Sequence, residues 1–203
     1  MAVISNQTEF GQQDVEVLDD KKVFDGFFEM RELRLRHKLF KGGWGSEIKR
    51  ELFVRGTAVG ILLFDPSVDE IVLIKQFRIG PWAAGAKPWV LELAAGIVES
   101  GEDYEDVAHR ETKEETGAEI SSLIPICDYF VSPGGTDEQV KLFCGIVDAA
   151  GCNGIHGLEE EGEDILVTKM PRQQAFDAVR NGLINNAATI IALQWLELNK
   201  EQF

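Results

Sequence analysis

Three glutamates, Glu111, Glu114 and Glu115, are the residues of this chain whose type and spacing point most directly to chemistry. On a helix, Glu111 and Glu115 stand four apart and Glu114 three from Glu111. All three carboxylates then project from nearly one face, roughly 5–6 Å apart at Cβ. Like charges at that spacing repel, and a hard cation such as Mg²⁺, which takes carboxylate oxygens together with waters and substrate phosphates, relieves the repulsion. The cluster holds no histidine or cysteine, which argues against zinc. The competing reading is a solvated helix face with Arg110 and Lys113 as counter-ions. These residues alone leave both readings open.

The elements that must position the cluster are legible in outline. Asp103 to Thr116 reads as a helix, with Asp103 as its N-cap, Val107 and Ala108 on an apolar stripe and Gly117 as its stop. Before it, TAVGILLFD and EIVLIKQFR flank the turn signal Pro66-Ser67-Val68-Asp69 and predict a hairpin of buried strands. Residues 80–90, GPWAAGAKPWV, carry two prolines and two glycines and read as a loop. Strands are expected near 124–131, 139–147 and 165–169, and helices over 171–180, with Pro171 in first position, and 186–198. Residues 1–55 read as short strands, VEVLD, KKVFDGFFEM, RELRLRHKLF and SEIKRELFV, separated by DD, DG and GGWG. That segment is polar for a self-sufficient core. The fold class is therefore α+β (mixed α/β), with a division at residues 1–55 and 56–203.

Composition narrows the function. The 203 residues are 44% hydrophobic and 27% charged with 20 glycines, an ordinary globular mixture that excludes disorder, collagen and a disulfide-stapled miniprotein. No apolar run approaches the roughly 18 residues of a membrane span. The N-terminus has neither a basic nor a long apolar region, so a cytoplasmic protein is expected. Cys127, Cys144 and Cys152 are odd in number and lack CxxC spacing, so they read as free thiols. The formal net charge is −15, a field that repels nucleic acid. The charges are segregated, however. Residues 31–55 are rich in Arg and Lys, Glu99 to Glu119 carries nine acids against Arg110 and Lys113, and Glu159-Glu160-Glu161-Gly162-Glu163-Asp164 has no base inside it.

Gly96, five residues, Glu102, seven residues and then Arg110-Glu111-Thr112-Lys113-Glu114-Glu115-Thr116-Gly117-Ala118 resembles the complete signature of the Nudix hydrolases, GX5EX7REUXEEXGU. Thr112 and Ala118 are the two departures, where the family prefers a bulkier aliphatic residue. Pro133, in Ser132-Pro133-Gly134-Gly135-Thr136, lies sixteen residues beyond Gly117, a spacing similar to that of the ADP-ribose pyrophosphatases within the family. Gly26-Phe27-Phe28, Val54-Arg55-Gly56, Gly154-Ile155-His156-Gly157-Leu158 and the segment from Asn185 to Leu196 also resemble the bacterial members.

What this resemblance implies is a Nudix-type α/β/α sandwich with a small N-terminal antiparallel sheet, and metal-dependent hydrolysis of ADP-ribose to AMP and ribose 5-phosphate. Cleavage of GDP-mannose or another nucleotide sugar is the nearest alternative, and a non-catalytic ADP-ribose sensor a remote one. Glu111 and Glu115 are the expected ligands of Mg²⁺, or of Mn²⁺, with the carbonyl of Ala95 freed by a turn at Gly96. Glu102 and Glu114 stand behind them, and Arg110 bridges the carboxylates. The resemblance places the general base on the acidic loop, at Glu161 with Glu163 as helper. Arg78 and Arg50 are candidate phosphate or ribose contacts, Phe27 and Trp44 candidate adenine stackers, Glu51 a candidate acceptor for the adenine amine, and Ser132 and Gly135 further substrate contacts. His37, His109 and His156 show no ligand spacing. The family's dimer exchanges the N-terminal sheet between subunits, so a homodimer is expected, with no nucleic-acid or membrane partner.

Overall fold

The computed structural model describes residues 10–203, so the first nine, read above for a targeting signal, lie outside it. The chain forms two compact units. One runs to Arg55 and takes in Ser132–Glu138; the other comprises Gly56–Val131 and Gln139–Phe203.

The first unit is an antiparallel sheet in the order β1 (Val15–Asp25), β2 (Glu29–His37), β3 (Ile48–Val54). The Asp19-Asp20 pair, expected to separate two strands, lies inside β1, and the ladder absorbs it through irregularities between Val17 and Asp19 and between Lys22 and Phe24. Cross-strand cations hold the acids there. Arg31 meets Asp20 at 2.7 Å, Lys22 meets Glu29 at 2.7 Å and Arg36 meets Glu16 at 2.6 Å. Exposed pairs of this kind add little to stability, and their use here is to fix register. The basic run seen in the sequence is thus matched by the acids of the neighbouring strand. Ser132–Glu138 joins this unit through Gly135 O, which accepts from Phe53 N–H at 2.8 Å, and Asp137 Oδ1, which accepts from Arg55 N–H at 2.7 Å.

The second unit is built on one mixed sheet. Its order is β10 (Ile155–His156), β11 (Ile165–Pro171), β5 (Glu70–Phe77), β4 (Thr57–Asp65), β9 (Gln139–Ile146), β8 (Ser122–Phe130), with β6 (Trp89–Glu92) paired to β5 and β7 (Ala94–Ile97) to β4. The central strand β4 runs antiparallel to β5 and β7 and parallel to β9. A strand covered on both faces reads as an unbroken apolar run, as β4 does. Its alternate residues feed opposite cores. Leu62 and Phe64 pack with Leu73, Leu93 and residues of α3 (Arg172–Arg180) and α4 (Ala187–Asn199), whereas Val59, Ile61 and Leu63 pack with Val107 and Ala108 of α2 (Tyr104–Thr116). The result is the expected α/β/α layering.

Residues 80–90 depart from the expected loop. Ile79–Ala83 makes a short helix α1, in which Pro81 sits in the first turn where its missing N–H is not needed, and Trp89 already belongs to β6. Pro171 is the N-cap of α3 rather than its first residue. Among the described residues all three cysteines are free, and no helix is long and apolar enough to cross a membrane.

Candidate active site

Helix α2 presents the carboxylates to strand β7, on the sheet face that it covers. Asp103 caps it by accepting from the Glu105 N–H at 2.9 Å and from Asp106 N–H, and Gly117 ends it in the left-handed region at φ 71°. That glycine has a second constraint, because a Cβ on it would lie 3.0 Å from the His156 ring. His156 therefore seats the segment before the acidic loop on the end of α2.

Glu115 is the deepest acid, only 2% exposed, and its Oε2 accepts from Ala95 N–H at 2.8 Å. Burial pushes its carboxyl up to about 8; the Ala95 hydrogen bond opposes this, the charges of Glu111 and Glu163 add to it, and Arg78 opposes it. Burial likewise pushes Glu111 up to about 7, against the pull of Arg110. Glu111 rests on Gly96, where a Cβ would meet its Cδ and Oε1 at 2.1 Å. Gly96 lies in strand β7 opposite Val59, not at the turn expected from the sequence. It is glycine because the carboxylate needs the space above it, not because the backbone bends there.

Arg110 spans the rest of the cluster. Its Nη1 lies 2.7 Å from Glu111 Oε1 and 3.4 Å from Glu114 Oε2, and its Nη2 lies 3.6 Å from Glu102 Oε1. The other oxygen of Glu102 accepts from Glu99 N–H at 2.8 Å, which pins it ahead of the helix. Glu163 belongs to the same electrostatic neighbourhood, since its charge is felt at both Glu111 and Glu115. Its Oε2 accepts from Leu158 N–H at 3.1 Å. The side chain of Glu161 lies outside the described residues; its backbone belongs to a 3₁₀ turn, Glu159–Glu161, that closes on Gly162. At the end of β5, Arg78 Nε donates to Glu92 Oε1 at 2.6 Å.

The donor set can be tested for a cation on these observations. Among the described residues no three His, Cys, Asp or Glu side chains form a ready cage. A Mg²⁺-type ion does not need one, because it is commonly held by one or two carboxylates with waters and substrate phosphates completing the shell. Two carboxylates that desolvation has driven to the edge of protonation, carrying only oxygen donors, suit a hard divalent cation, which would restore their charge.

The remaining candidates lie in the first unit. Phe27 is 87% exposed and touches Phe28 edge-on, with ring centroids 4.7 Å apart. Trp44 has Arg36 Cζ 5.2 Å and Lys38 Nζ 5.8 Å from its ring centre. Arg50 Nη1 donates to Lys49 O, and Glu51 is exposed on β3 opposite Glu32. Ser132 O accepts from the Gly135 and Thr136 N–H groups, closing the glycine turn.

Sequence reasoning missed Glu92 and the packing of His156 on Gly117. Only the strand pairing reveals the first, and only the fold the second. It did flag Thr112, which is fully buried and whose Oγ1 has no hydrogen-bond partner among the described residues. Thr112→Val removes that orphaned hydroxyl while keeping the shape, and is expected to stabilise the protein by about 1 kcal/mol in urea unfolding. A loss of stability would show that the hydroxyl is satisfied after all.

Residues 54–187 match the NUDIX domain family. The chain is similar to the ADP-ribose pyrophosphatase of Escherichia coli (strain K12), 46% identical over 95% of this chain and 92% of that one. It is similar to the ADP-ribose pyrophosphatase of Haemophilus influenzae at 43% identity, over 95% and 90% of the two chains. The GDP-mannose pyrophosphatase of Cronobacter sakazakii is more distant, at 33% over 91% and 95%. In fold, the chain is similar to a crystal structure of an ADP compounds hydrolase, with TM-score 0.69 and 19% identity over 94% of this chain and 98% of that chain.

Proposed function

The chain belongs to the NUDIX domain family, and on that premise we propose that it hydrolyses ADP-ribose to AMP and ribose 5-phosphate with Mg²⁺, Mn²⁺ being able to replace it. The observation that carries this reading is the pair Glu111 and Glu115, one half-buried and one buried carboxylate set over Gly96 and Ala95. The relatives identical at 43–46% supply the substrate.

Glu111 and Glu115 would hold the cation, with the Ala95 carbonyl as a further oxygen. When bound, such an ion neutralises the pyrophosphate oxygens that otherwise repel an incoming water. The protein's own groups do the rest. Arg110 keeps Glu102, Glu111 and Glu114 in fixed rotamers. Glu161 takes the proton from the attacking water and Glu163 supports the loop that carries it. Arg78 and Arg50 bind phosphate and ribose, Phe27 and Trp44 stack on the adenine, Glu51 accepts from its amine, and Ser132 and Gly135 complete the contacts. Water adds to the adenosyl phosphorus and ribose 5-phosphate leaves. The first unit serves as the dimerisation element of a cytoplasmic homodimer.

A panel of ADP-ribose, ADP-glucose, GDP-mannose, NADH and diadenosine polyphosphates with Mg²⁺ tests the substrate. ADP-ribose is expected to give the highest kcat/KM, and preference for GDP-mannose would overturn the reading. Hydrolysis in ¹⁸O-water is expected to label AMP. Glu161→Gln is expected to lower kcat by roughly 10²- to 10⁴-fold, the usual span for a general base. If Glu161→Gln is nearly native while Glu163→Gln or Glu160→Gln is inactive, the base is that residue instead. Light scattering that finds a fully active monomer would remove the dimer.

A further inference from the structure

Arg78 follows β5 and is fixed twice. Its backbone N–H donates to Pro88 O at 2.8 Å, and its side-chain Nε donates to Glu92 Oε1 at 2.6 Å. The two partners differ in environment, for the arginine side chain is 44% exposed and the glutamate only 15%. Glu92 closes β6. Strand alternation sets it on the face covered by α2, because its neighbours Leu91 and Leu93 belong to the opposite core, the one lined by α3 and α4. Three residues further along the same backbone, Ala95 N–H holds Glu115. One short run of chain thus fixes both the Arg78 guanidinium and the deepest carboxylate of the cluster.

Stability alone gives little reason for this arrangement. A half-exposed arginine gains little from an ion pair, while the half-buried acid bears the cost of desolvation, which raises its pKa against the pull of Arg78. Gln76 lies beside the same carboxylate and favours its charged form, although its Nε2 is buried without an acceptor at good bonding geometry. What the pair does provide is orientation. With Nε committed, no acceptor among the described residues engages the two terminal nitrogens of Arg78, and a guanidinium held in this way offers a planar fork matched to a phosphate.

We propose that Glu92 is a positioning residue for the reaction, clamping Arg78 at Nε so that its terminal nitrogens face one phosphate of the substrate as a fixed fork. The proposal rests on the reading of the chain as a pyrophosphohydrolase.

A double-mutant cycle tests it, with kcat and KM for ADP-ribose and Mg²⁺ measured for the native protein, Arg78→Ala, Glu92→Ala and the double variant, alongside thermal melting. Glu92→Ala is expected to lower kcat/KM by roughly 30-fold and Arg78→Ala by roughly 10²-fold, with the double variant within about threefold of Arg78→Ala. Glu92→Gln keeps an acceptor and is expected to recover most of the loss. Where Glu92→Ala fails to fold, Glu92→Leu fills the volume without an acceptor and takes its place in the cycle. A Glu92 that merely packs would cost the same factor with or without Arg78; that additivity, or a near-native Glu92→Ala, overturns the proposal. If the native protein leaves ADP-ribose intact, the substrate reading fails on its own. The cycle is then run on the diphosphate it does cleave, where additivity alone decides Glu92.

Discussion

Glu115→Gln is expected to reduce turnover by roughly 10³-fold or more and, in the same protein, to raise the melting temperature of the cation-free form at pH 8. The two effects share one cause. The carboxyl titrates near 4.5 when unfolded and near 8 when folded, because burial disfavours its charge. The folded state therefore keeps the proton that the unfolded state gives up. Stability from this group is fully present below about pH 4.5 and is lost as pH rises toward 8. At pH 8 the native glutamate carries a cost on the order of 3 kcal/mol that glutamine, an imitation of the protonated acid, does not. A rise of about 5–10 °C follows for a chain of this size. Melting curves in chelator at pH 4.5 and pH 8 should separate native protein and variant far more at the higher pH. A divalent cation should raise the native protein and leave the variant unmoved. Equal pH dependence in both would show that Glu115 is not the strained group.

Gly96→Ala is expected to lower kcat by roughly 10²-fold while changing stability by less than about 1 kcal/mol. The new methyl would occupy the place of the Glu111 carboxylate, 2.1 Å from its Cδ. The strand itself tolerates alanine, because Gly96 is not among the residues with positive φ. The side chain of Glu111 can swing aside cheaply, and in doing so it leaves its position beside Arg110. Activity and fold thus come apart at this residue. An alanine variant with native kcat would mean that Glu111 works from elsewhere, and a variant that unfolds would mean that Gly96 serves the backbone.

How much of this could be read from the residues depends on whether the interaction is local. The cap at Asp103, the stop at Gly117 and the common face of Glu111, Glu114 and Glu115 follow from helix geometry, and the structure has them all. The hairpin of β4 and β5 follows from one apolar run, a turn and a second run. What escaped were the pairings made over distance. Asp19-Asp20 reads as a break because two acids in sequence disfavour a strand, and only the arginines of β2 across the ladder make them tolerable. Gly96 reads as a turn because glycine usually is one, and its actual reason, a side chain from α2, has no local trace. Glu92 sits in WVLEL as an unremarkable strand acid until β5 brings Arg78 beside it.

The parallel pairing of β4 with β9 sets the order in which this site can come into being. Thr57 pairs with Gln139 and Phe64 with Ile146, so the centre of the sheet stays open until the chain beyond α2 and β8 has been made. Contacts so far apart in sequence are reached late, after the loop-closure entropy has been met. Helix α2 has no such constraint and can form early, with its glutamates in water, where they repel one another but bear no cost of burial. The desolvation strain at Glu115 is therefore absent from the nascent helix and arises only when the sheet closes beneath it, which makes the completion of the fold, rather than its initiation, the step that proton or cation supply governs.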